Sequence, residues 1–172
     1  MFLSDQCMLA VGIGAARARL VNLVYGGWLG EVSTAVYRDG IERLLQVGPF
    51  DDLPGMSRLV RVQVLDPVDR DDSVTIGIRW EALGVTGGLF PVLDADIGLT
   101  AEGEEGTRMT LNGVYRPPLA ALGAGLGRVH KVATATIHSL MTNLATALES
   151  TAPGADAPGA PVWQETRLKR AS

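Results

Sequence analysis

Apolar and polar positions alternate along three stretches in the second half of the chain. Residues 73–83 place Val74, Ile76, Ile78, Trp80 and Ala82 on one side. Residues 92–100 repeat this with Leu93, Ala95, Ile97 and Leu99, and residues 108–115 with Met109, Leu111, Gly113 and Tyr115. Successive strand side chains point to opposite faces, so each stretch predicts a strand with one apolar and one polar face. Residues 58–68 alternate as well, setting Val60, Val62 and Val64 against Arg61 and Gln63 until Pro67 ends the pattern. Turn clusters at 69–72, 84–88 and 102–106 then predict an antiparallel meander.

Elsewhere the spacing changes to three and four. After Pro117-Pro118, the leucines at 119, 122, 126, 140, 144 and 148 fall in line with Val129, Ala133 and Ile137. This stripe predicts a helix over 119–149, roughly 45 Å long at 1.5 Å per residue. Residues 15–25 form a shorter helix carrying Leu20, Leu23 and Val24, closed by Gly26-Gly27. A second runs over 28–46, with Leu29, Val32, Val36, Ile41, Leu44 and Leu45 near one side. Gly40 inside it costs about 1 kcal/mol relative to alanine, and Gly48-Pro49 breaks it before a loop at 51–57. The apolar run 7–13 is read as the first strand.

The resulting fold class is α+β: a curved antiparallel sheet gripping one long C-terminal helix, with two shorter helices after the first strand. Residues 1–150 make one domain, and the Pro/Ala/Gly-rich residues 151–172, Trp163 among them, make a disordered tail. Gly123, Gly125 and Gly127 stand inside the long helix and should cost about 2–3 kcal/mol against alanine. Either small residues permit close helix–sheet contact, or the helix starts near Arg128; a loose start would also form the mouth of a cavity.

Composition narrows the classes of function. A length of 172 residues with 47% hydrophobic content supports a real core. The net charge of −4 and scattered basic residues disfavour nucleic acid, which needs a concentrated basic face. Arg167, Lys169 and Arg170 cluster only in the tail. The single cysteine, Cys7, allows no internal disulfide, so a reduced, cytoplasmic setting is expected. No apolar run reaches the roughly 20 residues that cross a bilayer, and a soluble protein with no membrane insertion follows as the expectation.

Motifs with chemical content are weak. Gly12-Ile13-Gly14 resembles the opening of a dinucleotide fingerprint, but Arg17 stands where the third small residue belongs. His130 and His138 lie about 12 Å apart along the helix axis and cannot share a metal directly, so no metal and no cofactor is expected. Asp94 and Asp96 share the polar strand face with Arg79 and Glu81, where cross-strand ion pairs are expected. No nucleophile-elbow context surrounds any serine. The inward set carries no ionisable acid or base, and only Trp80 and Tyr115 bring a polar handle. That describes either a small-molecule site or an ordinary filled core.

The layout resembles the START-like, helix-grip (SRPBCC) superfamily of polyketide cyclases and lipid-transfer proteins. Gly106-Thr107-Arg108-Met109-Thr110-Leu111 is similar to the family's last strand, and the ending IHSLMTNLATALE to its last helix. The resemblance covers most of residues 7–149. It implies binding of a hydrophobic ligand such as a lipid, quinone or polyketide, and it brings no family-wide catalytic motif. The leading reading is a binding protein whose apolar small-molecule partner meets Trp80 and Tyr115. Ile78, Leu93, Ile97, Leu111, Ala133 and Ile137 would complete the lining. A cyclase- or aromatase-like enzyme using Tyr115, His130 and Arg79 is the catalytic rival, and a filled-core interaction module is the third reading. Oligomeric state is open.

Overall fold

The computed structural model describes residues 1–47, 60–82, 91–117 and 126–150. The elements are β1 (Phe2–Leu9), α1 (Ile13–Tyr25), α2 (Trp28–Val47), β2 (Val60–Val64), β3 (Val68–Arg70), β4 (Ser73–Ala82), β5 (Val92–Glu102), β6 (Gly106–Arg116) and α3 (Leu126–Glu149). The loop at 51–57, the turn at 84–88, Gly123 and Gly125, and the tail 151–172 lie outside the described residues.

Six strands pair antiparallel in the order β1-β6-β5-β4-β2, with β3 also on β4. The alternation read for β4, β5 and β6 is the one observed: Val74, Ile76, Ile78 and Trp80 are buried, as are Leu93, Ala95, Ile97 and Leu99, and Met109, Leu111 and Tyr115. Register carries these residues into rows across the inner face. Val62, Trp80, Leu93 and Tyr115 form one row, and Val64, Ile78, Ala95, Gly113 and Leu3 the next. Helix α3 lies over this face and buries Val129, Ala133, Ile137, Leu140, Leu144 and Leu148. Its 24 described residues span about 36 Å.

Two predicted boundaries move. The first strand is Phe2–Leu9 rather than 7–13, and α1 already begins at Ile13. Leu3 and Leu9 are buried on the inner face of β1, but Asp5 and Cys7 stand between them, so the apolar alternation is interrupted. The continuous apolar run past Leu9 is instead a turn: Ala10 N–H donates to Glu149 Oε1, and Val11 O accepts from Thr107 Oγ1. Gly12 is needed here, because a Cβ on it would lie 2.9 Å from Glu104 O. That close approach to the β5–β6 turn accounts for the glycine.

The second change divides the stretch 58–68. Val64 pairs with Ile78, yet Val68 pairs with Thr75, so one extra residue lies between the two registers. Such a bulge reverses which face each side chain occupies. Val68 therefore points outward and is exposed, as is Leu65 before it. Pro67 sits in the bulge, where no ladder N–H is required. Residues 69–70, read as turn, belong to β3, and the hairpin closes through Asp71-Asp72.

Helix α2 shares with α3 the task of covering the sheet. Leu29, Ser33, Val36 and Tyr37 are buried on it, and it packs against both α3 and β2. Helix α1 is tied down by its arginines. Arg17 pairs with Asp69 at 3.1 Å and donates to the carbonyls of Arg70 and Asp71. Arg19 donates to Leu148 O at the C-terminal end of α3, where a cation also complements the helix dipole. Among the described residues, no helix is long and apolar enough to cross a membrane.

Candidate functional site

The row Trp80–Leu93–Tyr115 ends at the side of the sheet where β4 finishes and β5 begins. Tyr115 is held there by the chain terminus: its carbonyl accepts from the Met1 ammonium at 2.6 Å, and its N–H donates to Met1 O at 2.8 Å. Above the row, α3 contributes Ala133, Thr136 and Ile137, and α2 contributes Tyr37, Gly40 and Ile41. These residues, with Pro91, enclose a cavity of about 20 Å³ between sheet and helices. That is room for about one water molecule.

Among the described residues, the polar groups around the cavity are few and none is formally charged. Tyr37 Oη donates to Pro91 O at 2.7 Å, and Thr136 Oγ1 donates to Val132 O at 2.8 Å within its own helix. The Tyr37 and Trp80 rings meet edge to face, with centroids 5.9 Å apart and an interplanar angle of 88°. This geometry suits aromatic quadrupoles and fixes the indole orientation. Trp80 is only 2% exposed, yet its Nε1 has no hydrogen-bond partner among the described residues. Burial pushes the Tyr37 hydroxyl far above its ordinary pKa, with Glu81 adding to the effect. Burial does the same to Tyr115, with Tyr37 adding to it. Both phenols therefore stay protonated at neutral pH, able to donate but not to act as bases.

Of the eight residues expected to touch a ligand, Trp80, Tyr115, Leu93, Ala133 and Ile137 come together around this cavity. Ile78, Ile97 and Leu111 are buried in rows further along the sheet and do not line it. Sequence reasoning missed Tyr37, Gly40, Ile41, Pro91 and Thr136 as lining residues. Tyr37 carried a usable signal, since it lies one turn from Ser33 and one residue from Val36 on the buried side of α2. The catalytic set does not assemble. His130 is exposed on α3, and Arg79 lies on the outer face, 3.2 Å from Asp94 and 3.4 Å from Glu81. His138 is also exposed, its Nδ1 2.9 Å from Asp5 Oδ2.

A larger, open trough of about 520 Å³ occupies the opposite face of the sheet. Its floor includes Gly77 and Asn112, its polar wall Arg79, Asp94 and Asp96, and its rim the exposed Phe2, Leu65 and Val114.

No protein-family model matches the chain, and no curated protein matches it. Solved structures do. A conserved protein from Geobacillus kaustophilus is 11% identical, with a TM-score of 0.50 over 86% of this chain and 95% of that one. The Zhui aromatase/cyclase from Streptomyces sp. R1128 is 11% identical, with a TM-score of 0.40 over 87% and 91%. A START superfamily protein from Mycobacterium smegmatis is 13% identical, with a TM-score of 0.30 over 86% and 97%. At such identities the likeness concerns fold and says nothing of ligand or activity. The strand order, the two helices after β1 and the covering C-terminal helix give the chain an α+β, helix-grip fold, shared with the Geobacillus kaustophilus protein.

Proposed function

We propose that the protein binds a hydrophobic small molecule, of the lipid, quinone or polyketide-like kind, between the sheet and α3. The reading takes residues 1–150 as one cytoplasmic binding domain. Its principal support is one observation: Trp80, whose buried indole N–H has no partner among the described residues, lines a mostly apolar cavity between sheet and helices. An orphaned buried donor costs about 1–3 kcal/mol, and a ligand acceptor would relieve it. Binding requires the cavity to widen, with α2 moving off α3 where both helices line it. The test is a thermal-shift panel of quinones, fatty-acyl lipids and polyketide-like aromatics against wild type and Ala133→Leu. Stabilisation by one class in wild type, reduced in the variant, supports the reading. No response across the panel sinks it.

A second reading is favoured by the small size of the interior cavity and by the outer trough. A filled core with Phe2, Leu65 and Val114 exposed around a polar floor suits an interaction module with no small-molecule ligand. The cyclase- or aromatase-like reading is left with Tyr115 alone at the cavity, as His130 and Arg79 are elsewhere.

A further inference from the structure

On the outer face of the sheet, register sets Arg79, Asp94, Val114 and Phe2 in one row, with Gly77 and Asp96 in the next. The open trough lies across these rows, and its walls are apolar. On one side Leu65, 63% exposed, folds over Gly77, where a Cβ would lie 2.8 Å from Leu65 Cδ1. On the other stand Val114 and Phe2, paired in register and both exposed. The strands of Gly77 and Val114 are two spacings apart, about 10 Å, wide enough for one flat aromatic ring. The floor between them is acidic. Arg79 is held by Asp94 at 3.2 Å and by Glu81 at 3.4 Å, so its charge is already offset. Asp96 is exposed, and no cation among the described residues pairs with it.

The sequence after Ser150 is of two kinds. Residues 151–161 are rich in Pro, Ala and Gly, whereas 162–170 read VWQETRLKR, with Trp163, Leu168 and three basic residues against one acid. The composition that argues for disorder belongs to the first kind. Helix α3 brings the chain to the far end of β1, where Glu149 Oε1 accepts from Ala10 N–H. From Leu9 to Phe2 is about 24 Å along the strand, and rounding the sheet edge from the helix layer adds about 10 Å. Residues 151–162 can span up to about 40 Å, so the trough is within reach. A tether of this kind supplies an effective concentration of about 1 mM, enough for a shallow site that would hold a free ligand poorly.

We propose that the trough is the seat of the chain's own segment 162–170, with the Trp163 indole between Leu65 and Val114 and the basic residues 167–170 against Asp96. The inference stands apart from the ligand reading, since trough and cavity lie on opposite faces of the sheet. The seated segment covers the apolar walls, and a protein partner for this face has to displace it.

The test follows the methyl signals of Leu65 and Val114 by nuclear magnetic resonance in the full chain, as wild type and as Trp163→Ala. In wild type both should show ring-current shifts and cross-peaks to the Trp163 ring, and Trp163→Ala should abolish both. Asp96→Lys should lower the ratio of seated to free segment by about threefold or more. Methyl signals that are the same in wild type and Trp163→Ala overturn the proposal. Contact that weakens on dilution marks the segment of a second copy and also overturns it, as does a ratio that Asp96→Lys leaves unmoved. Trp163→Ala changes none of the described residues, so the first comparison does not depend on whether a variant of the folded body survives.

Discussion

Gly40 of α2 faces Thr136 of α3 so closely that a Cβ on Gly40 would lie 2.7 Å from Thr136 Oγ1 and 2.9 Å from its Cγ2. The glycine that weakens the helix on propensity grounds is what lets the two helices meet over the cavity. Gly40→Ala should therefore destabilise the protein by about 1–2 kcal/mol, overpacking outweighing the roughly 1 kcal/mol gain in helix propensity. Adding Thr136→Ala should recover most of the loss. Urea denaturation of the two single variants and the double variant measures this coupling; strictly additive effects would show that the contact does not matter.

Gly113 has a similar part in the sheet. A Cβ there would approach Ala95 Cβ to 2.5 Å and Asp94 O to 2.7 Å. Gly113 and Ala95 are register partners in the row that also holds Ile78 and Leu3. Gly113→Ala should cost about 1–3 kcal/mol, since the backbone oxygen cannot step aside as a side chain would. A melting temperature equal to wild type would contradict this account of the sheet centre.

The buried phenols predict an alkaline limit. Tyr37 and Tyr115 have raised pKa values in the folded protein, as does the half-buried Cys7 thiol, through burial and then Asp5 and Glu149. The folded state thus holds these protons more tightly than the unfolded chain. Their contribution is complete below the unfolded values, about 8.5 for cysteine and 10 for tyrosine, and falls as pH rises through the folded ones. Stability should decline from about pH 9 upward. Phenolate absorbance from Tyr37 and Tyr115 should grow in step with loss of far-ultraviolet dichroism. Complete ionisation of all 3 tyrosines in a still-folded protein would be inconsistent with their burial.

The pair Asp5–His138 joins β1 to α3, but His138 is 72% exposed. Replacing it by glutamine should change stability by less than about 1 kcal/mol, with the difference shrinking in high salt. A larger, salt-independent loss would mark a structural role that its exposure does not indicate.

The central sheet was legible because β4, β5 and β6 alternate without interruption, and Val74 to Trp80, Leu93 to Leu99 and Met109 to Tyr115 are buried at alternate positions as expected. The first strand was not, because Asp5 and Cys7 occupy inner-face positions and the apolar run continues into a turn. Nor does periodicity reveal the extra residue between Val64 and Val68, since a bulge is a matter of pairing and not of composition. At the site, Trp80 and Tyr115 stood out as the polar handles of an apolar face. Thr136 did not, because its role depends on how α2 crosses α3, and Tyr37 showed only that it belongs to the buried side of α2. That crossing is set by Gly40, whose value appears only in three dimensions.

The most direct measurement is native mass spectrometry of the full chain purified without detergent, beside an Ala133→Phe variant with unchanged circular dichroism. The account predicts a small-molecule mass carried by wild type, released on denaturation and absent from the variant. A bare wild-type chain, or an adduct retained equally by Ala133→Phe, would contradict a ligand held between the sheet and α3.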